Sequence, residues 1–198
     1  MTERGDRDWT RLPSVRIGAV VAIALAAAFA VWLLVRGNDD SSTSTTTEQT
    51  TTTTTTAAVG PVAATPAALR ALADEVGHPV YWVGPRPNRT YELTRTAGGR
   101  IFIRYLPPGV RVGDRTARFT IVGTYPVENA LDVLRDLSEQ PGEKSASVPG
   151  GGLAVYSMDA PGNVYVAFPD SDVQIEVYDP SAKRALRLVT SGRVAPVG

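Results

Sequence analysis

The alternation of apolar and polar positions divides the chain into three regimes. The first centres on an uncharged run from Ile17 to Val35, IGAVVAIALAAAFAVWLLV, bounded by Arg16 and Arg36. As a helix it would span about 28 Å, close to the hydrocarbon thickness of a bilayer. It is apolar on every face, as contact with lipid all round requires. A cleaved signal peptide would have a shorter apolar core ending in a small-residue cleavage site. Here the small residues Ala26, Ala27, Ala28 and Ala30 run on into Val31-Trp32-Leu33-Leu34-Val35, which predicts a retained transmembrane helix over 17–35. Arg4, Arg7, Arg11 and Arg16 precede the run and only Arg36 closely follows it. The positive-inside rule therefore makes residues 1–16 a cytoplasmic tail and everything after the span extracytoplasmic. This is a single-pass, signal-anchor topology in a cell membrane.

The second regime has no apolar periodicity. Ser41 to Thr56 holds 11 Thr and 3 Ser, interrupted only by Glu48-Gln49. Such a low-complexity tract has no face to bury and predicts a disordered linker or stalk, glycosylated or bare, over 36–64.

The third regime, 65–198, shows the periods of a folded domain. Thr65-Pro66 opens a helix with Leu69, Leu72, Ala73 and Val76 on one face, ended by Gly77. Strands are predicted at Val80–Gly84, Thr90–Thr96, Arg100–Leu106 and Arg118–Tyr125, with a hairpin at Ala97-Gly98-Gly99. Val127, Ala130, Leu131, Leu134 and Leu137 predict a second helix from Pro126 to about Gln140, and Glu143–Gly152 reads as a Gly-rich loop. Three strands follow at Leu153–Met158, Asn163–Phe168 and Val173–Tyr178, joined by tight turns. Asp179-Pro180 then leads into a last helix. About seven strands in runs divided by three helices predict an α+β fold with a mostly antiparallel sheet. The two halves resemble each other in element order, without a residue-level repeat.

Composition changes this picture in two places. The chain has no Cys and one His, which excludes disulfide scaffolds, thiol catalysis and His-rich metal sites. Its 20 Lys+Arg balance 20 Asp+Glu, which argues against a protein that coats nucleic acid. Eighteen of the basic residues are Arg, a bias that together with abundant Ala, Val, Gly and Thr points to a bacterial, GC-rich source. The neutrality is a sum of opposed blocks. Residues 86–118 carry eight Arg against Glu92 and Asp114, residues 119–182 carry ten acidic residues against Arg135 and Lys144, and 183–198 add Lys183, Arg184, Arg187 and Arg193. Either the blocks pair on folding, which is the simpler outcome, or an Arg-rich region stands apart to meet anionic envelope polymers or lipid headgroups.

Candidate chemistry is sparse. His78 lacks a G-x-S-x-G partner motif and reads as a helix-terminal residue. Glu128, Asp132 and Asp136 lie one helical turn apart as solvated charge, and Asp170 and Asp172 suit a turn. Pro149-Gly150-Gly151-Gly152 lacks the Lys-Ser/Thr and following helix of a phosphate loop. No catalytic residue, metal ligand or cofactor motif emerges. The candidate ligand or partner surface is Tyr81, Trp82, Arg86, Arg89, Arg95, Arg100 and Arg104: aromatics beside Arg and Pro suit glycan or peptide recognition, although Tyr81 and Trp82 equally suit a core.

The runs PVYWVG, YELTRT, RIFIRYLPPG and NVYVAFPDSDVQIEVYDPS, after an anchor and a Thr tract, resemble uncharacterised bacterial single-pass membrane proteins with a Thr-rich stalk and an extracytoplasmic α+β domain. That resemblance implies no activity or cofactor. A second similarity, to the outer domains of membrane-bound anti-sigma-like proteins, is opposed by a 16-residue tail, too short for a sigma-binding domain. The expected function is a membrane-anchored binding, sensory or structural module of the cell envelope. The alternatives are an envelope hydrolase using carboxylates, or an accessory subunit packing on another membrane protein through its Ala-rich span.

Overall fold

The computed structural model describes residues 58–198. The tail 1–16, the membrane span read at 17–35 and the tract up to residue 57 lie outside the described residues. Among those described, no helix is long and apolar enough to cross a membrane.

The chain opens on β1 (Val59–Ala64) and turns into α1 (Pro66–Val76). Thr65 caps α1, its hydroxyl accepting from the Ala68 N–H at 3.1 Å, and Pro66 takes the first helical turn where its missing N–H costs nothing. Gly77 ends the helix in the left-handed region, at φ 70°. Next come β2 (Tyr81–Trp82), β3 (Thr90–Arg95), β4 (Ile101–Leu106) and β5 (Ile121–Pro126). Then α2 (Ala130–Ser138) precedes β6 (Glu143–Val148), β7 (Gly152–Ser157), β8 (Asn163–Ala167) and β9 (Val173–Tyr178). The chain closes with α3 (Ala182–Thr190) and β10 (Ala195–Pro196).

These elements make an α+β fold with one antiparallel eight-stranded sheet, ordered β1-β3-β4-β5-β9-β8-β7-β6, and a separate β2–β10 ladder. Two meanders thus meet at their last strands, β5 and β9, which pair from Ile121 opposite Tyr178 to Pro126 opposite Val173. The matching order of strands in the two halves does not extend to the helices: α2 and α3, which follow β5 and β9, lie on opposite faces of the sheet.

The first face is apolar. Tyr91, Leu93, Ile101, Ile103, Tyr105, Val122, Val164, Val166, Val173, Ile175 and Val177 cluster there under Leu69 and Leu72 of α1 and Ala185, Leu188 and Val189 of α3. Each fully buried leucine of this kind contributes about 1.5–3 kcal/mol. The second face is half apolar, where α2 lays Ala130 and Leu134 on Val155 and Ala167. Its other half carries the buried polar residues Glu92, Arg104 and Glu176 and is closed by the 107–119 segment.

The structure differs from the sequence pattern in four places. Val59–Ala64, inside the segment read as stalk, is an edge strand on β3. Its Gly-Pro step and exposed small residues hide the alternation that marks a strand. Glu143–Val148, read as loop, is the edge strand β6, polar because only Ala146 and Val148 turn towards the core. Together these raise the main sheet to eight strands. The helix read from Pro126 starts only at Ala130, because the Val127 N–H donates to the Asp172 carbonyl at 2.9 Å and Asn129 adopts the left-handed conformation. Strand β5 begins at Ile121, not Arg118, which leaves Arg118 to Thr120 beside the cleft described next.

Candidate functional site

At one end of the sheet β3 begins, β4 ends, β5 begins and β9 ends. A cleft of about 580 Å³ opens there between the Pro85–Arg89 loop and α3. It adjoins a recess of about 190 Å³ lined by Tyr105, Arg118, Phe119, Thr120 and Asp179. Arg86, Arg89 and Arg184 line both, and Arg187 and Arg193 extend the larger compartment. Six arginines from four stretches of chain therefore line the two compartments, with one carboxylate, that of Asp179, among them.

The loop wall is built rigidly. Gly84 and Asn88 take left-handed φ angles of 76° and 54°, while Pro85 and Pro87 hold theirs near the fixed proline value. Two tyrosines reach up from the sheet to grip the loop backbone. The Tyr105 hydroxyl accepts from the Val83 N–H at 2.9 Å and donates to the Gly84 carbonyl at 3.2 Å. The Tyr91 hydroxyl accepts from the Arg86 N–H at 2.8 Å and donates to the Arg86 carbonyl at 3.3 Å. Burial pushes the Tyr105 hydroxyl well above its ordinary range, so it stays a neutral two-way hydrogen-bonding group. Arg86 then lies over the Tyr105 ring, its guanidinium carbon 5.5 Å from the centroid.

The helix wall follows from spacing. Arg184, Arg187, Leu188 and Ser191 recur at three- and four-residue steps on one stripe of α3. Asp179, 1% exposed, fixes the start of that helix. Its Oδ1 accepts from the Ser181 N–H and from Arg184 Nε, both at 2.8 Å, and its Oδ2 accepts from the Thr120 hydroxyl at 2.7 Å. The carboxylate is thus engaged on both oxygens, and Arg184 is held by Nε, leaving its terminal nitrogens for the cleft. The β2–β10 ladder ties the walls together: Ala195 pairs with Trp82, and the Val197 N–H donates to the Val80 carbonyl at 2.8 Å.

Of the residues predicted from sequence, Arg86 and Arg89 line the cleft. Tyr81 and Trp82 do not present a surface. Both are buried, Tyr81 stacked on Phe168 at 5.6 Å and Trp82 edge-on to Tyr91 at 5.9 Å, because β2 lies against the sheet instead of at its edge. Arg95 is buried and pairs with Glu75 of α1 at 2.8 Å. Arg104 is buried on the second face against Glu92. Arg100 lies over the Tyr125 ring, 6.0 Å from its centroid. The surface named from sequence is therefore split. Arg95 of β3 falls on the first face, Arg100, just before β4, and Arg104, an even number of positions on, fall together on the second, and Arg86 and Arg89 lie in the loop.

Four cleft arginines, Arg118, Arg184, Arg187 and Arg193, were outside that set. The signal for Arg184, Arg187 and Arg193 was the positive C-terminal block and the three-residue spacing of Arg184 and Arg187, and Arg118 closes the basic block at 86–118.

Two of the carboxylates considered for catalysis have partners in the structure. Asp132 pairs with Arg135 at 2.6 Å, and Asp172 accepts from the Asn129 N–H at 2.9 Å. His78 is half-buried, its Nδ1 3.1 Å from the carbonyl of its neighbour Pro79. Among the described residues no three acidic or imidazole groups gather as a metal site. No family model, curated protein or solved structure matches the chain. The class of site therefore rests on the cleft itself, a rigidly walled pocket lined by six arginines and one carboxylate.

Proposed function

We propose that this chain is a membrane-anchored binding module of the cell envelope whose extracytoplasmic domain captures an anionic ligand in the arginine cleft. One observation carries the reading: six arginines line one cleft and its adjoining recess, where the single carboxylate is buried and fully engaged. A fold without a use for that charge would place its arginines beside its many acidic residues. Arg95, Arg104 and Arg135 do have acidic partners, whereas among the described residues Arg184 alone of the six cleft arginines forms an ion pair, with Asp179. Rigid Pro and Tyr supports reduce the ordering cost of binding.

The anchored half of the proposal rests on the Ile17–Val35 run and its flanking arginines. Because the chain has no Cys, single cysteines report topology cleanly. In intact cells a membrane-impermeant maleimide should label Thr56→Cys and leave Thr2→Cys untouched; the opposite pattern overturns the orientation.

For binding, the full chain in nanodiscs of zwitterionic lipid is titrated with a fluorescent polyanion. Arg89→Gln/Arg187→Gln should weaken binding by at least about tenfold, since charge-assisted hydrogen bonds are worth about 1.5–3 kcal/mol each. Affinity should also fall steeply between about 50 and about 500 mM salt. Binding indifferent to both changes refutes the proposal.

A further inference from the structure

We infer that the cleft's ligand is a polymer carrying consecutive phosphate groups, held on the side of the domain away from the segment that tethers it. This rests on the reading of the cleft as an anion site and adds the ligand's class and position.

The class follows from how the guanidiniums are arranged. A carboxylate is planar and singly charged, and one arginine satisfies it through a two-pronged contact. Three arginines line both cleft and recess: Arg86 and Arg89 from the loop and Arg184 from α3. Donors on two walls suit the tetrahedral oxygens of phosphate. Positive charge continues both ways from these three, to Arg187 and Arg193 in one compartment and to Arg118 in the other. A single anion leaves these outer arginines unused, whereas a chain with charges at regular intervals engages them together. The rings in the lining are taken: Tyr105 is buried beneath Arg86, and Arg104 lies over Phe119 at 5.5 Å. The cleft thus offers guanidiniums in place of the stacking platforms that single-stranded nucleic acids use.

The position follows from register. The described chain starts on β1, where Val59 lies opposite Arg95, the last residue of β3. The cleft lies at the other end, where Arg89 precedes Thr90, the first residue of β3. Five residue steps along β3 separate the two levels, about 17 Å. The preceding chain therefore arrives at one end of the sheet and the ligand at the other. With residues 17–35 as anchor, the tethering chain joins the domain at the end away from the cleft, which favours a polymer of the wall over the headgroups of the bilayer holding the protein.

The test uses the full chain in zwitterionic nanodiscs. The probes are poly(glycerol phosphate), inorganic polyphosphate and polygalacturonate matched in number of charges, and a parallel set of nanodiscs contains phosphatidylglycerol. The expected result is that either phosphate polymer binds at least about tenfold more tightly than polygalacturonate, with no gain from phosphatidylglycerol. Arg89→Gln/Arg187→Gln abolishes the preference, and Arg135→Gln on α2 leaves it unchanged, with unaltered circular dichroism confirming both folds. Equal affinity for polygalacturonate overturns the phosphate class while leaving an anion site in place. Self-association with phosphatidylglycerol nanodiscs in preference to the soluble polymers overturns the placement away from the tether. Failure to bind any of the probes overturns the anion-site reading itself.

Discussion

The ion pair between Arg104 and Glu92 is the place where one substitution should do most damage. Both side chains are buried, at 2% and 0% exposure, with Arg104 Nη1 2.7 Å from Glu92 Oε1. The same guanidinium donates to the Asp114 carbonyl at 2.7 Å and the Thr116 carbonyl at 2.9 Å, while Glu92 Oε2 accepts from the Gly113 N–H. Together they fasten the 107–119 segment over the second face. Arg104→Met retains the bulk but strips the guanidinium from a carboxylate that has no access to water. The expected cost is about 3–5 kcal/mol, the usual penalty for breaking one side of a buried pair. That is a large fraction of the roughly 5–15 kcal/mol holding a domain together. Adding Glu92→Gln removes the stranded charge, so the double variant should be more stable than Arg104→Met alone, by at least about 1 kcal/mol. Urea unfolding of a fragment spanning 58–198, followed by circular dichroism, measures both. Trypsin supplies a second readout, because Arg111 and Arg115 sit in the fastened segment and should be cut faster once it is released. A single-variant cost under about 1 kcal/mol, or a double variant no better than Arg104→Met, refutes the reasoning.

The other predictions also concern the second face. Burial pushes the Glu176 carboxyl up to about 7 from its ordinary 4.5, against the Tyr125 hydroxyl that donates to its Oε2. A raised acid binds more protons folded than unfolded between these values, so its contribution to stability falls as pH rises from about 4.5 to about 7. The loss should total about 3 kcal/mol, and Glu176→Gln should flatten the stability profile in that window; parallel profiles for the two proteins refute it. Tyr125 reaches Glu176 by folding its ring back over Gly123, where an added Cβ would lie 2.8 Å from the ring. Gly123→Ala should therefore cost about 1–3 kcal/mol and move the Glu176 titration, whereas an unchanged melting temperature contradicts the close approach.

Much of the fold was legible because its signals were local. Thr65-Pro66 and Gly77 bracket α1, and the Ala97-Gly98-Gly99 turn joins β3 to β4 in the register alternation suggests. The edge strands β1 and β6 were not legible, since an edge strand needs few apolar residues and is held by backbone pairing that composition does not reveal. Half of the cleft was visible as a basic block at 86–118, but residue type does not tell an arginine that pairs inside from one that faces out. Arg104 and Arg86 look alike in the sequence, and only the buried Glu92 beside one and the buried Tyr105 beneath the other separate them. The simpler expectation, that basic and acidic blocks pair, is met at this end of the sheet by Arg184 with Asp179, while α3 brings the rest of the second basic block beside the first.

The placement of β1 also has a mechanical consequence. Its hydrogen bonds to β3 run across the strand, from Val62 opposite Leu93 to Ala64 opposite Tyr91, with Val59 opposite Arg95 beyond a bulge. Tension between the chain preceding Val59 and a ligand seated in the cleft acts along the strand axis. The rungs of that ladder are then loaded in parallel and must fail together, in contrast to an unzipping pull that breaks them one at a time. An edge strand with little apolar surface, weak by the measure of burial, is by this geometry a strong point of attachment under load.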